Sequence, residues 1–487
     1  MSQEKPEIIH EEALPKSSTT DGYVPETAPE YTAEEEAKVI RKLDWNMIPL
    51  LFTLYTLSVL DRTNLGNARI AGMEKDIDLN GNRYNWLGTM FYIGYVLFQW
   101  IQIGWKAFPP HIWVAFCVFG WGTVSSCQAA AQGWGGLMVC RFLLAFFECG
   151  YGPGVPLYLS YFYPREKIAF RTGIFLAGSA AANAYGGALA YGISQAKGAI
   201  APWRILFLVE GLPTVALSAV VFFFVPDGPH NARFLTEREK EIAVDISLRQ
   251  PGDRTGNKGL QLKQLAGAFL DWRSYLPAFG YFGSTIPFAS LPLFAPTIIS
   301  QMGAFTTIQS NGLTAPPYVL TFICIVGTCY ISDKIQIRGP FIAGWALIAA
   351  IGYILLATQT SVAARYAGLF LAPLCFVSIA LSLSWVANMH ATDSKRAGGL
   401  TILATIGQMG TFIATNIFPL KDAPYYRVGM WISCGGCLIT TICGTAQVLL
   451  LMRENRKRDQ LYGENRDTIH LEHPTEFGHD AQFRYMI

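Results

Sequence analysis

The chain has 487 residues, 51% of them hydrophobic and only 15% charged, with a mean hydropathy of +0.28. Soluble domains carry about 25% charged residues, so a chain this poor in charge cannot keep its whole surface in water. A net charge of +2 indicates neither a nucleic-acid footprint nor an acidic tail.

Residues 1–43 are acidic and rich in Pro, Ser and Thr. They have no apolar core of the kind a cleaved signal peptide needs and are expected to form a disordered cytoplasmic segment. A spanning helix needs about 20 mostly apolar residues. On that basis the sequence predicts spans at 45–66, 83–105, 111–131, 135–160, 169–194 and 203–225, forming an N-terminal bundle over 44–225. A polar linker over 226–272 follows, holding Arg233, Glu237, Arg238, Glu239, Lys240 and Glu241 and a Gly/Lys-rich turn around Gly252–Gly259. Six more spans, at 273–296, 312–332, 340–358, 364–387, 397–418 and 428–452, make a C-terminal bundle over 273–452, and a polar tail fills 453–487. The expected fold class is therefore an all-α membrane protein of twelve transmembrane helices in two six-helix bundles that face each other across a central cavity.

Basic residues set the orientation. Arg41, Lys42, Lys106, Arg165, Lys167, Arg171, the linker cluster, Lys334, Arg338, Lys395, Arg396 and Arg453, Arg456, Lys457 and Arg458 fall on one side. The other side has only Arg69, Lys75, Arg83, Lys197, Lys421 and Arg427. Both termini are thus expected in the cytoplasm. The ten cysteines lie in apolar runs, and Cys434 and Cys437 form a lone pair with no second pair or nearby His to make a zinc site. In the fifth span Gly178, Ala182, Gly186 and Ala190 recur every four residues, giving a smooth face for close helix approach. Static packing and a sliding seam both fit that pattern.

Charged residues inside apolar helices carry the most information, because each costs roughly 2.5–3.5 kcal/mol at a helix centre unless it finds a partner or water. The first span contains Asp61, Arg62 and Asn64, with Asp61 roughly 24 Å along the helix from Trp45 at 1.5 Å per residue. They are either a polar cap on a helix ending there or groups facing the cavity. The fourth span carries Arg141 and Glu148, seven residues or nearly two turns apart and so on one face. Unpaired, these four charges would cost on the order of 10 kcal/mol, so they must be coupled to one another or to a solute. An arginine fork suits a carboxylate solute, and a buried carboxylate can take up and release a proton near neutral pH.

Several segments together resemble the major facilitator superfamily, and within it the fungal anion:cation symporter branch of allantoate and nicotinate permeases. They are Leu43-Asp44-Trp45 with Pro49, Leu60-Asp61-Arg62-Thr63-Asn64-Leu65-Gly66-Asn67-Ala68, and the run from Arg141 to Glu148. Tyr158 to Ser160 with Tyr163-Pro164-Arg165, Pro296, and Ala315-Pro316-Pro317-Tyr318 continue the match, as do Asp333-Lys334 with Arg338-Gly339 and Lys395-Arg396 with Gly399. The resemblance spans about residues 40 to 455 and implies proton-coupled import of a small organic anion by alternating access. By that resemblance Asp61 and Glu148 carry protons, Arg62 contacts the anion with Arg141 in support, and Asp333, Lys334 and Arg338 act as gate residues. Asn64, Asn183, Trp385, Gln408 and Asn416 are further substrate-pocket candidates. Two departures bear on the substrate: Gln99-Trp100-Ile101-Gln102-Ile103 stands where the branch has a Glu-Ile-Pro-Ser-Asn-like run, and Gly410-Thr411 replaces a Gly-Pro near Gln408.

No nucleophile elbow, phosphate loop or His-Glu-x-x-His is present, so an enzyme is not expected, and an ion gradient rather than ATP or a cofactor supplies the energy. The expected partners are a small organic anion, protons and the lipid bilayer, with no nucleic acid. The chain is expected to be a monomer in the plasma membrane. The alternative is efflux of a secondary metabolite or toxin, against which the fifth span lacks the Gly-Pro-x-x-Gly-Gly run of proton-driven exporters. A transport-dead sensor, usually marked by long tails, is a third reading.

Overall fold

The computed structural model describes residues 31–79, 81–164, 167–194, 200–248, 262–303, 305, 307–390, 393–462 and 484–487. Every regular element among them is a helix, and twelve long helical rods run back and forth. They are α1 (Ala33–Ala68), α2 (Arg83–Leu97), α3 (Pro110–Gln128), α4 (Trp134–Cys149, continued by Val155–Leu159), α5 (Ile168–Ser194) and α6 (Pro202–Phe224). The second set is α7 (Tyr275–Met302), α8 (Thr307–Ile335), α9 (Gly339–Thr358), α10 (Val362–Leu371, continued by Cys375–Ala387), α11 (Asp393–Gln408, continued by Gly410–Ala414) and α12 (Arg427–Tyr462). Nine of them, all but α2, α3 and α5, are long and apolar enough by themselves to cross a bilayer.

Local chemistry sets the ends and breaks of these rods. Thr32 caps α1: its hydroxyl accepts the Glu35 N–H at 3.3 Å and Glu35 accepts the Thr32 N–H at 3.0 Å, with Glu34 to Glu36 favourably placed at the positive end of the helix dipole. This differs from the expectation of disorder up to residue 43: α1 starts at Ala33, before the expected start of the bundle at 44, and ties itself to its surroundings. Lys42 pairs with Glu239 at 2.6 Å, Glu36 with Lys167 at 3.0 Å, and the Tyr31 hydroxyl donates to Asp245 at 2.6 Å. Glu239 and Asp245 belong to a linker helix, Glu237–Leu248, and a second linker helix covers Leu262–Leu270. The expected Gly252–Gly259 turn, Arg165, residues 1–30 and residues 463–483 lie outside the described residues. Prolines, each removing a backbone donor, lie inside several rods: Pro49 in α1, Pro213 in α6, Pro287, Pro292 and Pro296 in α7, and Pro316 and Pro317 in α8.

In each half, large apolar side chains such as Phe222, Phe223, Phe224, Ile442 and Leu449 stand exposed on the outside, where lipid would cover them. α10 is the innermost rod, with every residue from Cys375 to Ala387 buried. The small-residue face of α5 packs on α1 inside the first bundle: a Cβ on Gly178 would meet the Phe52 carbonyl and Thr56, and one on Gly186 would meet Leu60. That resolves the choice left open by the sequence in favour of packing within a bundle. Across the bundles, α5 instead approaches α8, where Gly173 faces Cys329 so closely that a Cβ would come within 2.5 Å of it.

The bundles touch on both the linker side and the far side. On the linker side the Phe170 N–H donates to Asp333 at 2.7 Å and the Gln102 amide donates to Thr401 at 2.8 Å. On the far side the Thr89 and Thr415 hydroxyls meet at 3.0 Å. Residues 484–487 also return to the linker side: Trp385 donates to the Met486 carbonyl at 2.9 Å, and the Tyr485 hydroxyl accepts from Arg273 at 2.5 Å and from Arg458 at 3.0 Å.

Candidate functional site

The charges that the sequence flagged converge in the first bundle. Arg62, in the last two turns of α1, reaches Glu148, at the end of the first segment of α4: Nη2 and Nε donate to the Glu148 Oε2 at 2.8 and 3.2 Å. The Glu148 side chain is wholly buried, while 11% of the Arg62 side chain is exposed. The guanidinium lies over the rings of Phe91 and Tyr95, both 5.0 Å from their centroids, so cation–π attraction and the ion pair fix one orientation. Tyr281 of α7 is close by in the opposite bundle. Of the four charges, Arg62 is the one a solute can reach.

Behind this pair is a drier layer. Asp61 is fully buried and its Oδ1 accepts the Ser125 hydroxyl of α3 at 2.5 Å, while Oδ2 has no hydrogen-bond partner. Arg141 donates Nη1 to the backbone carbonyls of Arg62 at 3.2 Å and Asp61 at 3.4 Å, and its Nε and Nη2 are unbonded. The cap reading of Asp61 and Arg62 therefore fails: α1 runs on to Ala68, and both residues sit within the bundle. Asn64 turns away from the cavity and donates to Glu210 of α6 at 2.6 Å. Sequence reasoning missed Glu210. Its signal was present, since it is an acid in the apolar run 203–225, of the same kind that marked Glu148.

The remaining candidates scatter. Gln408 is buried in α11 near Tyr281, which packs on Gly407, and its Oε1 is unbonded, as a pocket group would be. Asn183 donates to the Ser179 carbonyl of its own helix at 2.7 Å, and Asn416 is exposed and bonded to Thr415 at 3.1 Å. Trp385 lies far from Arg62, on the linker side against the 484–487 segment.

The gate candidates sit where a gate could act. Asp333 accepts the Phe170 N–H of the other bundle and pairs with Arg338 at 3.2 Å, and Arg338, fully buried, donates to the Ser384 carbonyl at 2.7 Å. Lys334 is exposed on the same turn. Two further ion pairs flank this side: Asp44 to Arg171 at 2.6 Å in the first bundle, and Asp271 to Lys395 at 2.9 Å in the second. Burial pushes the Asp271 carboxyl up, but Lys395 and Arg273 outweigh it and hold the group below the usual carboxylate range. Next to it, burial and Lys395 push the His390 imidazole down to about 3.

Known proteins agree with this architecture. The sequence profile of the Major Facilitator Superfamily matches residues 51–415. A high-affinity nicotinic acid transporter of Saccharomyces cerevisiae is 32% identical over 464 residues, 93% of this chain and 84% of that one. An MFS-type transporter, efuF, of Hormonema carpetanum is 31% identical over 87% of each chain. Among solved structures, the proton:xylose symporter XylE superimposes with a TM-score of 0.63 at 16% identity, covering 83% of this chain and 95% of that one. The rods, their six-and-six arrangement and the sequence match lead to one conclusion: this chain belongs to the major facilitator superfamily, and it is a multi-pass membrane transporter rather than an enzyme.

Proposed function

We propose that the protein imports a small organic carboxylate together with protons, by alternating access, and that it does so as a monomer in the plasma membrane with both termini in the cytoplasm. The observation that carries this reading is the Arg62–Glu148 pair, with its arginine 11% exposed and bracketed by Phe91 and Tyr95. A carboxylate substrate would take the guanidinium fork bidentately while its apolar body lay against the rings. Glu148, deprived of its cation in a dry site, would then have to take a proton, so anion and proton would enter together. Asp61, one residue from Arg62 on the same helix, is the second proton carrier in this scheme. Asp333, Lys334 and Arg338 would hold the linker-side closure until the loaded carrier turns over. The ion gradient is the energy source and no cofactor takes part.

The named substrate of the yeast relative, nicotinic acid, is an aromatic carboxylate that fits an arginine set between two rings. Labelled nicotinate and aliphatic carboxylates, supplied to yeast lacking their own carriers at two external pH values, test the reading. Uptake should rise at acid pH and collapse with a protonophore. Active extrusion with no accumulation, from cells with the protein at their surface, would replace import by efflux.

A further inference from the structure

The dry layer holds an odd number of charges. Three carboxyls, Asp61, Glu148 and Glu210, are buried inside the first bundle with Arg141, and the partly exposed Arg62 lies beside them. Arg62 is taken by Glu148. One guanidinium therefore serves two carboxyls.

The geometry supports that sharing. Arg141 lies 6.0 Å over the ring of Phe207, one turn before Glu210 on α6, and it also touches the backbone of Asp61. Its Nε and Nη2 are free, as are the Asp61 Oδ2 and the Glu210 Oε1. Asn64, three residues on from Asp61 on the same helix, donates to the Glu210 Oε2 and so holds Glu210 beside α1. Among the described residues, the charged groups acting on Glu210 are Asp61 and Arg141. α3 faces α6 with Ser125, Ser126 and Gln128, besides the titratable but exposed Cys127, and α5 has no charged side chain between Arg171 and Ser194. The Arg69 guanidinium after α1 is taken by Glu74 at 3.0 Å, while Tyr84 of α2 lies over Arg69 and, like Glu148, also acts on Arg141 through space.

We infer that Glu210 is a third carboxyl of the proton machinery: Asp61 and Glu210 share one resident proton under the single cation of Arg141. Two ionised carboxylates against one arginine would leave a bare charge in a dry bundle, and two protonated ones would strand Arg141. A single proton makes the set neutral, and either oxygen, Asp61 Oδ2 or Glu210 Oε1, can hold it. Deprotonation of one acid leaves its carboxylate to Arg141 and passes the proton to the other acid or out through the cavity. The inference rests on the reading of Asp61 as a proton carrier, but not on which anion is carried or in which direction.

The test is infrared spectroscopy of the purified full-length protein at neutral pH, with no substrate, following the C=O stretch of a protonated carboxyl and its shift in heavy water. The wild type should show the signal of one buried acid. Glu210→Gln and Asp61→Asn should each abolish it, because in either variant the remaining acid has Arg141 to itself and ionises. Glu210→Asp should restore it. A signal that survives Asp61→Asn would make Glu210 a permanently neutral packing group, and one that survives Glu210→Gln would leave Asp61 alone as the proton host; either result overturns the sharing. Because no transport is measured, failure here is separate from failure of the import reading.

Discussion

The two bundles share a plan and divide the labour. Each has an ion pair at its linker-side rim joining its first and fifth rods, Asp44 to Arg171 in one and Asp271 before α7 to Lys395 of α11 in the other. Their middles differ. The first bundle gathers five charges on α1, α4 and α6, whereas the spans of the second carry none between Tyr275 and Ser332, and their polar contacts are hydroxyl pairs such as Ser284 with Thr440 at 2.8 Å. Prolines lie inside rods of both bundles, at Pro49 in α1 and Pro213 in α6 and, more densely, at Pro287, Pro292 and Pro296 in α7 and Pro316 and Pro317 in α8. In the alternating-access scheme proposed above, concentrating charge in one bundle would let it keep the recognising geometry while the two bundles rock against each other.

The sharpest break of that comparison is Arg62→Ala. Removing one partner of a buried ion pair costs about 3–5 kcal/mol, so affinity for carboxylate should fall more than a hundredfold at about 1.4 kcal/mol per decade, measured by binding or by the KM of uptake. The matching change in the second bundle, Ser284→Ala, deletes a hydroxyl pair worth about 1 kcal/mol and should leave uptake within a few fold. Equal effects would contradict the division. Glu148→Gln should abolish accumulation against a gradient yet spare exchange of labelled for unlabelled substrate across the membrane, because Gln cannot titrate but still fits the site. Unchanged accumulation would remove Glu148 from the proton path.

How much of this was readable from sequence follows the same divide. Rod positions and the need of Asp61, Arg62, Arg141 and Glu148 for partners were legible because charge in an apolar helix has so few tolerable places, although which charge would meet which was not. Glu210 was equally legible by that rule, and a charge tally that included α6 would have found the third acid. The second bundle was not legible in this way. Trp385 and Asn416 are a buried aromatic and an amide with no charge to demand a partner, so sequence could not separate a pocket lining from the tail contact of Trp385 or the exposed position of Asn416. The start of α1 at Ala33 was hidden by its polar composition: its stability comes from a capping box and from ion pairs with residues more than a hundred positions away.

The rim pairs sharpen the comparison at a smaller scale. Both carboxylates can be neutralised by Asn, and the effects should differ because Asp271 is 5% exposed and Asp44 is 31% exposed. An ion pair open to water contributes about 0–1 kcal/mol, whereas breaking a buried one costs several times more. Thermal unfolding in detergent should therefore show Asp271→Asn clearly less stable than wild type and Asp44→Asn close to it. The Asp271 carboxyl is held below its ordinary value in the folded protein, so its contribution is complete above the unfolded value of about 4 and is lost as pH falls through the lower folded one. At strongly acid pH the wild type should converge on Asp271→Asn.

The smallest effect sets the two bundles' responses to acid against each other. His390 is buried on the linker side of the second bundle, with its Nε2 3.3 Å from the Ser274 hydroxyl, and is held neutral down to about pH 3. An unfolded histidine takes its proton near 6.5, so the folded state loses stability as pH drops from about 6.5 towards 3, by up to about 1.4 kcal/mol per unit. At pH 5 that amounts to about 2 kcal/mol, which His390→Gln should abolish without changing stability's pH dependence above 7. In the proposed orientation this histidine faces the neutral cytoplasm, so acid outside the cell would reach the carboxyls of the first bundle and not His390. In intact cells His390→Gln should then leave the acid stimulation of uptake unaltered, although the same substitution flattens the acid melting curve of the purified protein. If it also altered the pH profile of uptake, either the second bundle would take part in coupling or the chain would be inserted the other way round.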